Sequence, residues 1–253
     1  MPALSAPSPE VISQDISKLY GGFEIDTLGQ LGVSDSAHGV VFGEIPGLGD
    51  VAVKPFTKIG KARHEQSNYE RVLKKGFETI DPIDSVSGQR ASYLISIRRR
   101  DLTNLAQRPW SESLDSEKRL ADTFAGLGSV ALDTAVLHDA GITHGDYQAK
   151  NIVYDSTTGL YVVADVERAQ IDRAGDDHKV DATKDVIKVG ESLLSKGVFA
   201  GVSPVRRVEL LEGALLEPYL SSASSGNRPD GKEVLAKWAD KAVKLENTLT
   251  LSR

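Results

Sequence analysis

A chain of 253 residues, 40% of them apolar and 26% charged, has material for a sizeable core and the balance of an ordinary globular protein. The absence of cysteine excludes disulfide scaffolds, zinc–thiolate and iron–sulfur sites and cysteine nucleophiles, and it suits a reducing, cytoplasmic setting. A formal net charge of −6 speaks against nucleic acid as a partner, with Arg98-Arg99-Arg100 read as a solvated or ion-paired patch. No apolar run has the length of a signal peptide core or a membrane span, so a membrane partner is not expected either.

Residues 1–20, rich in Pro and Ser, are expected to be a flexible N-terminal segment. From Ile25 to Leu31, Val40 to Glu44 and Val51 to Phe56, β-branched stretches alternate with turn residues, including a Pro46–Asp50 turn, which predicts an antiparallel meander. Lys61 to Lys75, ended by Gly76, predicts a helix, and Ile80 to Val86 and Ala91 to Ile97 predict two further strands. Beyond residue 100 the period changes. Leu120, Phe124, Leu127, Val130 and Leu137 fall near helical spacing, as do Val234, Leu235, Trp238, Ala242 and Leu245 after a loop over 221–231. Strands followed by helices predict an α+β chain with a β-rich lobe over 21–98 and a helical lobe over 99–253.

The densest motif is His144-Gly-Asp146-Tyr-Gln-Ala-Lys150-Asn151, followed by the apolar stretch Leu160-Tyr-Val-Val-Ala-Asp165-Val-Glu167. Upstream, Lys54 ends the alternating run Val51-Ala-Val-Lys54. His-Gly-Asp, four residues, Asn, then a strand and Asp closely resembles the catalytic and metal-binding loops of the protein-kinase-like superfamily. It is most similar to its atypical small members, such as aminoglycoside phosphotransferases, RIO kinases, lipopolysaccharide-core kinases and the kinases of tRNA-modification complexes.

The resemblance implies a two-lobed fold with a reduced helical lobe, a hinge near Ser96 to Asp101, and ATP with Mg²⁺ in the cleft. Asp146 would orient the acceptor hydroxyl, Asn151 and Asp165 would hold metal, and Lys54 would hold the α- and β-phosphates. Five positions between Asp146 and Asn151 let one tight loop serve both tasks, and fourteen more to Asp165 leave room for a hairpin. The phosphate lysine needs a helix glutamate. Glu65 is preferred to Glu70 because it shares the apolar face with Tyr69 and Val72 at i, i+4 and i+7.

Several positions depart from the pattern. The glycines of the nucleotide loop read Ser34-Asp-Ser36-Ala-His-Gly39, so Ser34, Ser36 and Gly39 would face the phosphates. This serine pair resembles the autophosphorylated loop of HipA-type toxin kinases, against the plainer reading of a hairpin turn. Gln148 stands where the catalytic-loop lysine is expected, leaving Lys150 as the cation for the transferred phosphoryl or as an exposed loop lysine. Glu167 is open between a second metal carboxylate and a loop charge. Asp185 is open between a helix N-cap and the buried aspartate that braces the His-Gly-Asp backbone in this superfamily.

Only 88 residues follow Asp165, no Ala-Pro-Glu terminator is present, and the stretch from Arg98 to Ser116 is too short for a drug-binding helical insertion. The expectation is therefore an atypical serine/threonine protein kinase with a protein substrate, autophosphorylating in its nucleotide loop. The alternatives are a kinase of a small cationic metabolite or antibiotic, drawn by Asp172, Asp176, Asp177 and Asp181, and a catalytically silent nucleotide-binding regulator.

Overall fold

The computed structural model describes residues 7–26, 39–88, 91–98, 102–104, 116–155, 160–195, 199 and 202–251. Ser34 and Ser36 lie outside the described residues, as do three residues of the expected hinge, 99–101. The chain divides into two compact units: residues 1–103, 155–158 and 162–167 form the first, and the remainder forms the second.

The first unit is built on a five-stranded antiparallel sheet: β1 (Glu24–Ile25), β2 (Val41–Ile45), β3 (Gly49–Phe56), β4 (Pro82–Ser87) and β5 (Ser92–Ile97), in the order β1-β2-β3-β5-β4. The β2–β3 turn matches its sequence signals. Gly47 and Gly49 take φ values of 83° and 80°, which only glycine adopts without strain, and Leu48 N–H closes the turn on Ile45 O at 3.0 Å. Strand β3 sends Val51 and Val53 to one face and Lys54 to the other, with Lys54 opposite Leu94 of β5.

Within the segment expected to be flexible, Pro9–Tyr20 form a helix, α1, which corrects that reading for residues 9–20. Ile12 and Ile16 are buried with Val51, Val53, Tyr93 and Ile95 on one face of the sheet. Tyr93 Oη donates to Asp15 Oδ2 at 2.7 Å, and Tyr20 Oη donates to Asp84 Oδ2 at 2.6 Å. Helix α2 (Lys61–Lys74) packs on β3, β4 and β5. Ser92, Tyr93, Leu94, Ile95 and Ser96 are consequently buried in succession, as befits a strand enclosed on both faces.

The second unit is helical: α3 (Ser116–Asp139), α4 (Gly175–Leu194), α5 (Pro204–Leu211), α6 (Glu217–Ser222) and α7 (Gly231–Leu251), with a π-helical turn over Glu212–Leu216 between α5 and α6. Its core gathers Leu127 and Val130 of α3, Val186, Val189 and Leu193 of α4, Leu215 and Tyr219, and Val234, Trp238 and Ala242 of α7. Helices α4 and α7 approach closely because position 190 is glycine. A Cβ there would lie 2.1 Å from Trp238, whose indole N–H donates to Ile187 O at 3.1 Å. Short strands β6 (Leu102–Asn104), β7 (Ile152–Asp155) and β8 (Leu160–Val163) form a three-stranded sheet from which the chain runs into the Asp165 segment. Among the described residues no helix is long and apolar enough to cross a membrane.

Candidate active site

In the first unit, one face of α2 organises a charged cluster. Lys54 reaches from β3 to Glu65, with Nζ 3.1 and 2.9 Å from the two carboxylate oxygens, and lies 2.7 Å from Asp165 Oδ1. Glu65 is fully buried, whereas Glu70 is exposed. Burial alone would lower the Lys54 pKa, but the two carboxylates more than offset it and hold the ammonium above its ordinary value. Burial, with Asp165 nearby, pushes Glu65 upward against the pull of Lys54.

The Asp165 segment is fixed by its backbone. A parallel bridge joins Val163 to Thr79, and Asp165 itself takes a φ of 60°, a left-handed conformation uncommon outside glycine. Its N–H donates to Tyr69 Oη at 2.8 Å, and Asn68 Nδ2 donates to Val166 O at 2.9 Å. Lys61 forms an ion pair with Glu167. Lys61, Glu65, Asn68 and Tyr69 stand at i, i+4, i+7 and i+8, so a single helical stripe grips three successive residues, 165 to 167.

Carboxylate oxygens of Glu65, Asp165 and Glu167 lie within 4.8 Å of one another. Three hard oxygen donors against the ammonium groups of Lys54 and Lys61 leave a net negative charge, and this donor set fits Mg²⁺.

In the second unit the His144-Gly145-Asp146 loop is braced from α4. Asp185 Oδ2 accepts His144 N–H at 2.6 Å and Oδ1 accepts Gly145 N–H at 3.0 Å, so Asp185 is the buried brace and not an N-cap. His138 Nε2 lies 3.4 Å from Asp185 Oδ2, and its Nδ1 is 2.7 Å from Tyr219 Oη. Position 145 requires glycine: φ is 75°, and a Cβ would come 2.5 Å from Arg168 O.

Asp146 presents its carboxylate with Oδ1 occupied by Gln148 Nε2 at 2.6 Å and Lys188 Nζ at 3.2 Å. Burial would raise the Asp146 pKa, but these two donors and the Lys188 and Arg168 charges prevail and hold it below the usual carboxylate value. Asn151, in a 3₁₀ turn over Ala149–Asn151, donates its amide N–H to Asp146 O at 2.9 Å, which leaves its oxygen to accept or to ligate.

The sequence-predicted residues thus gather in two groups: Lys54, Glu65 and Asp165 in the first unit, Asp146 and Asn151 in the second. Gly39 is exposed at a φ of 43°, just before β2. Lys150 is half-buried and has no ion-pair or hydrogen-bond partner among the described residues, and the cation beside Asp146 is Lys188 of α4.

Sequence reasoning missed Lys188, although it follows Asp185 by three positions on the same helix face. It also missed Gln148 as the partner of Asp146, and Tyr69 and Asn68 as backbone anchors. Asp176 and Asp177 lie in the first turn of α4, where the helix dipole favours them, and Asp181 pairs with Lys184.

No family model matches the chain, and no curated protein matches it. Among solved structures, WaaP in complex with acyl carrier protein superposes with a TM-score of 0.56 at 18% identity, covering 92% of this chain and 97% of that one. The two chains share the protein-kinase-like fold.

Proposed function

We propose that this chain is an ATP- and Mg²⁺-dependent phosphotransferase acting on a hydroxyl, and that the acceptor is Ser or Thr of a protein. The observation that supports it most is Lys54 held between buried Glu65 and Asp165, since an ammonium fixed by two carboxylates is poised to exchange one of them for phosphate oxygens. Asp165 and Asn151 would hold the metal, which when bound neutralises charge on the phosphates. Lys54 binds the α- and β-phosphates. Asp146 orients the acceptor hydroxyl through Oδ2, the oxygen that Gln148 and Lys188 leave unengaged, and takes its proton.

A macromolecular acceptor is supported by the short stretch between Arg98 and Ser116 and by the neighbour WaaP, whose structure holds a protein, acyl carrier protein. Of the acidic residues that suggested a cationic small molecule, Asp181 pairs with Lys184 and Asp176 and Asp177 lie in the first turn of α4, where the helix dipole favours them, which weakens that reading. Serines 34 and 36 remain the proposed sites of autophosphorylation.

The test is thermal melting with ATP, with and without Mg²⁺. The wild type should gain stability that depends on both, and Asp165→Ala should lose the Mg²⁺-dependent part. A Mg²⁺-dependent shift that survives Asp165→Ala overturns the metal assignment.

A further inference from the structure

We infer that Lys188, on helix α4, is a catalytic residue that supplies the positive charge for the transferred phosphoryl group, in place of a lysine on the loop itself. The inference rests on the phosphotransferase reading above.

Three observations carry it. Position 148, two residues after Asp146, is Gln, a neutral side chain whose amide is spent on Asp146 Oδ1 at 2.6 Å. Lys150 follows two residues later without a partner among the described residues, in a turn whose neighbours Ala149 and Asn151 are buried. Among the described residues, Lys188 alone brings an ammonium to the carboxylate: its Nζ donates to Gly145 O at 2.7 Å and to Asp146 Oδ1 at 3.2 Å.

An ammonium has three donors, and these contacts use two. The third is available for a phosphoryl oxygen, and the side chain is 36% exposed, so it is accessible to a ligand. The backbone contact fixes Nζ without neutralising it.

The position also fits the chemistry. In the step, the acceptor oxygen forms a bond to the γ-phosphorus while the bond from that phosphorus to the β–γ bridging oxygen breaks, ADP departs, and the hydroxyl proton passes to Asp146 Oδ2. Negative charge stays on the equatorial oxygens throughout, and a fixed cation at that place stabilises them without reorganisation.

The experiment uses the full chain with Mg–ATP, with ADP release to water as the readout, comparing wild type, Lys188→Met, Lys188→Arg, Lys150→Met and, as a control on the exposed side of α4, Lys184→Met. Lys188→Met should lower kcat about 10²–10³-fold with the KM for ATP little changed. Lys188→Arg should recover part of kcat.

A kcat loss that Lys188→Arg does not relieve would make Lys188 a mere prop of the Gly145 backbone, and a larger loss in Lys150→Met would return the role to the loop. Either result overturns the assignment. A wild type that releases no ADP and transfers no γ-phosphate to any acceptor in cell extract overturns the phosphotransferase reading and this inference with it, whereas Lys188→Met matching Lys184→Met overturns the inference alone.

Discussion

The hydroxyl of Tyr69 accepts the backbone N–H of Asp165 at 2.8 Å, while Glu65, one turn earlier on α2, faces the same phenol. Tyr69 therefore links the glutamate that holds Lys54 to the backbone of the residue assigned to metal. Burial, then the Glu65 charge, pushes the phenol well above its ordinary pKa, so it stays protonated and can donate to one partner while accepting from the other.

Tyr69→Phe keeps the packing of a fully buried ring but leaves the Asp165 N–H without an acceptor. The expected cost is about 1–3 kcal/mol in urea denaturation. The Mg²⁺ concentration for half-maximal stabilisation by ATP should rise as well, since Asp165 is freed from its left-handed conformation. An unchanged Mg²⁺ response would mean that the conformation is held by other contacts.

Asp185 accepts two backbone N–H groups of the His144–Gly145 turn from a buried position. Asp185→Ala should cost about 3–5 kcal/mol, because both donors are orphaned away from water. Hydrogen exchange at the His144 and Gly145 amides should accelerate selectively. Protection retained at both amides would contradict the brace.

Ile16 is completely buried between α1 and the sheet. Ile16→Ala is expected to destabilise the protein by about 2–5 kcal/mol, and removal of residues 1–20 should do more, since it bares the face carrying Val53 and Ile95. Truncation without loss of stability would mean that α1 is dispensable to the first unit.

Two glycine replacements test the helical unit in opposite directions. Gly190→Ala places a methyl 2.1 Å from Trp238 and should cost at least about 1–3 kcal/mol. A methyl added at Gly128, in mid-α3, would meet nothing within 4 Å, so Gly128→Ala should add about 0.5–1 kcal/mol through helix propensity. Both are read from the denaturation midpoint.

Periodicity carried much of the fold. Alternation located β3 and put Lys54 on the face opposite Val51 and Val53, and the i, i+4, i+7 pattern separated Glu65 from Glu70 because only one of them can point at the sheet. Helix α1 is hard to read from sequence because Pro and Ser also mark frayed termini. Pro9 in the first turn and Gly21 at a φ of 80° are in fact start and stop signals around Ile12 and Ile16.

Within the candidate site, residues joined by local spacing were legible and those joined through tertiary packing were not. Asp146 and Asn151 belong to one loop, so their relation is written in the chain. Lys188 meets Asp146 only because α4 packs beside that loop, and Tyr69 meets Asp165 across 96 positions of sequence. Nothing local marks either pair.

Phosphotransfer is measured by following the γ-phosphate. The full chain is incubated with Mg²⁺ and γ-labelled ATP, alone and with cell extract, beside Asp146→Asn. Wild type should transfer label to protein, while Asp146→Asn should retain Mg²⁺-dependent stabilisation by ATP yet lose transfer by several orders of magnitude. A wild-type protein that transfers no label to any acceptor and releases no ADP, or an Asp146→Asn protein that transfers as well as wild type, would contradict the account.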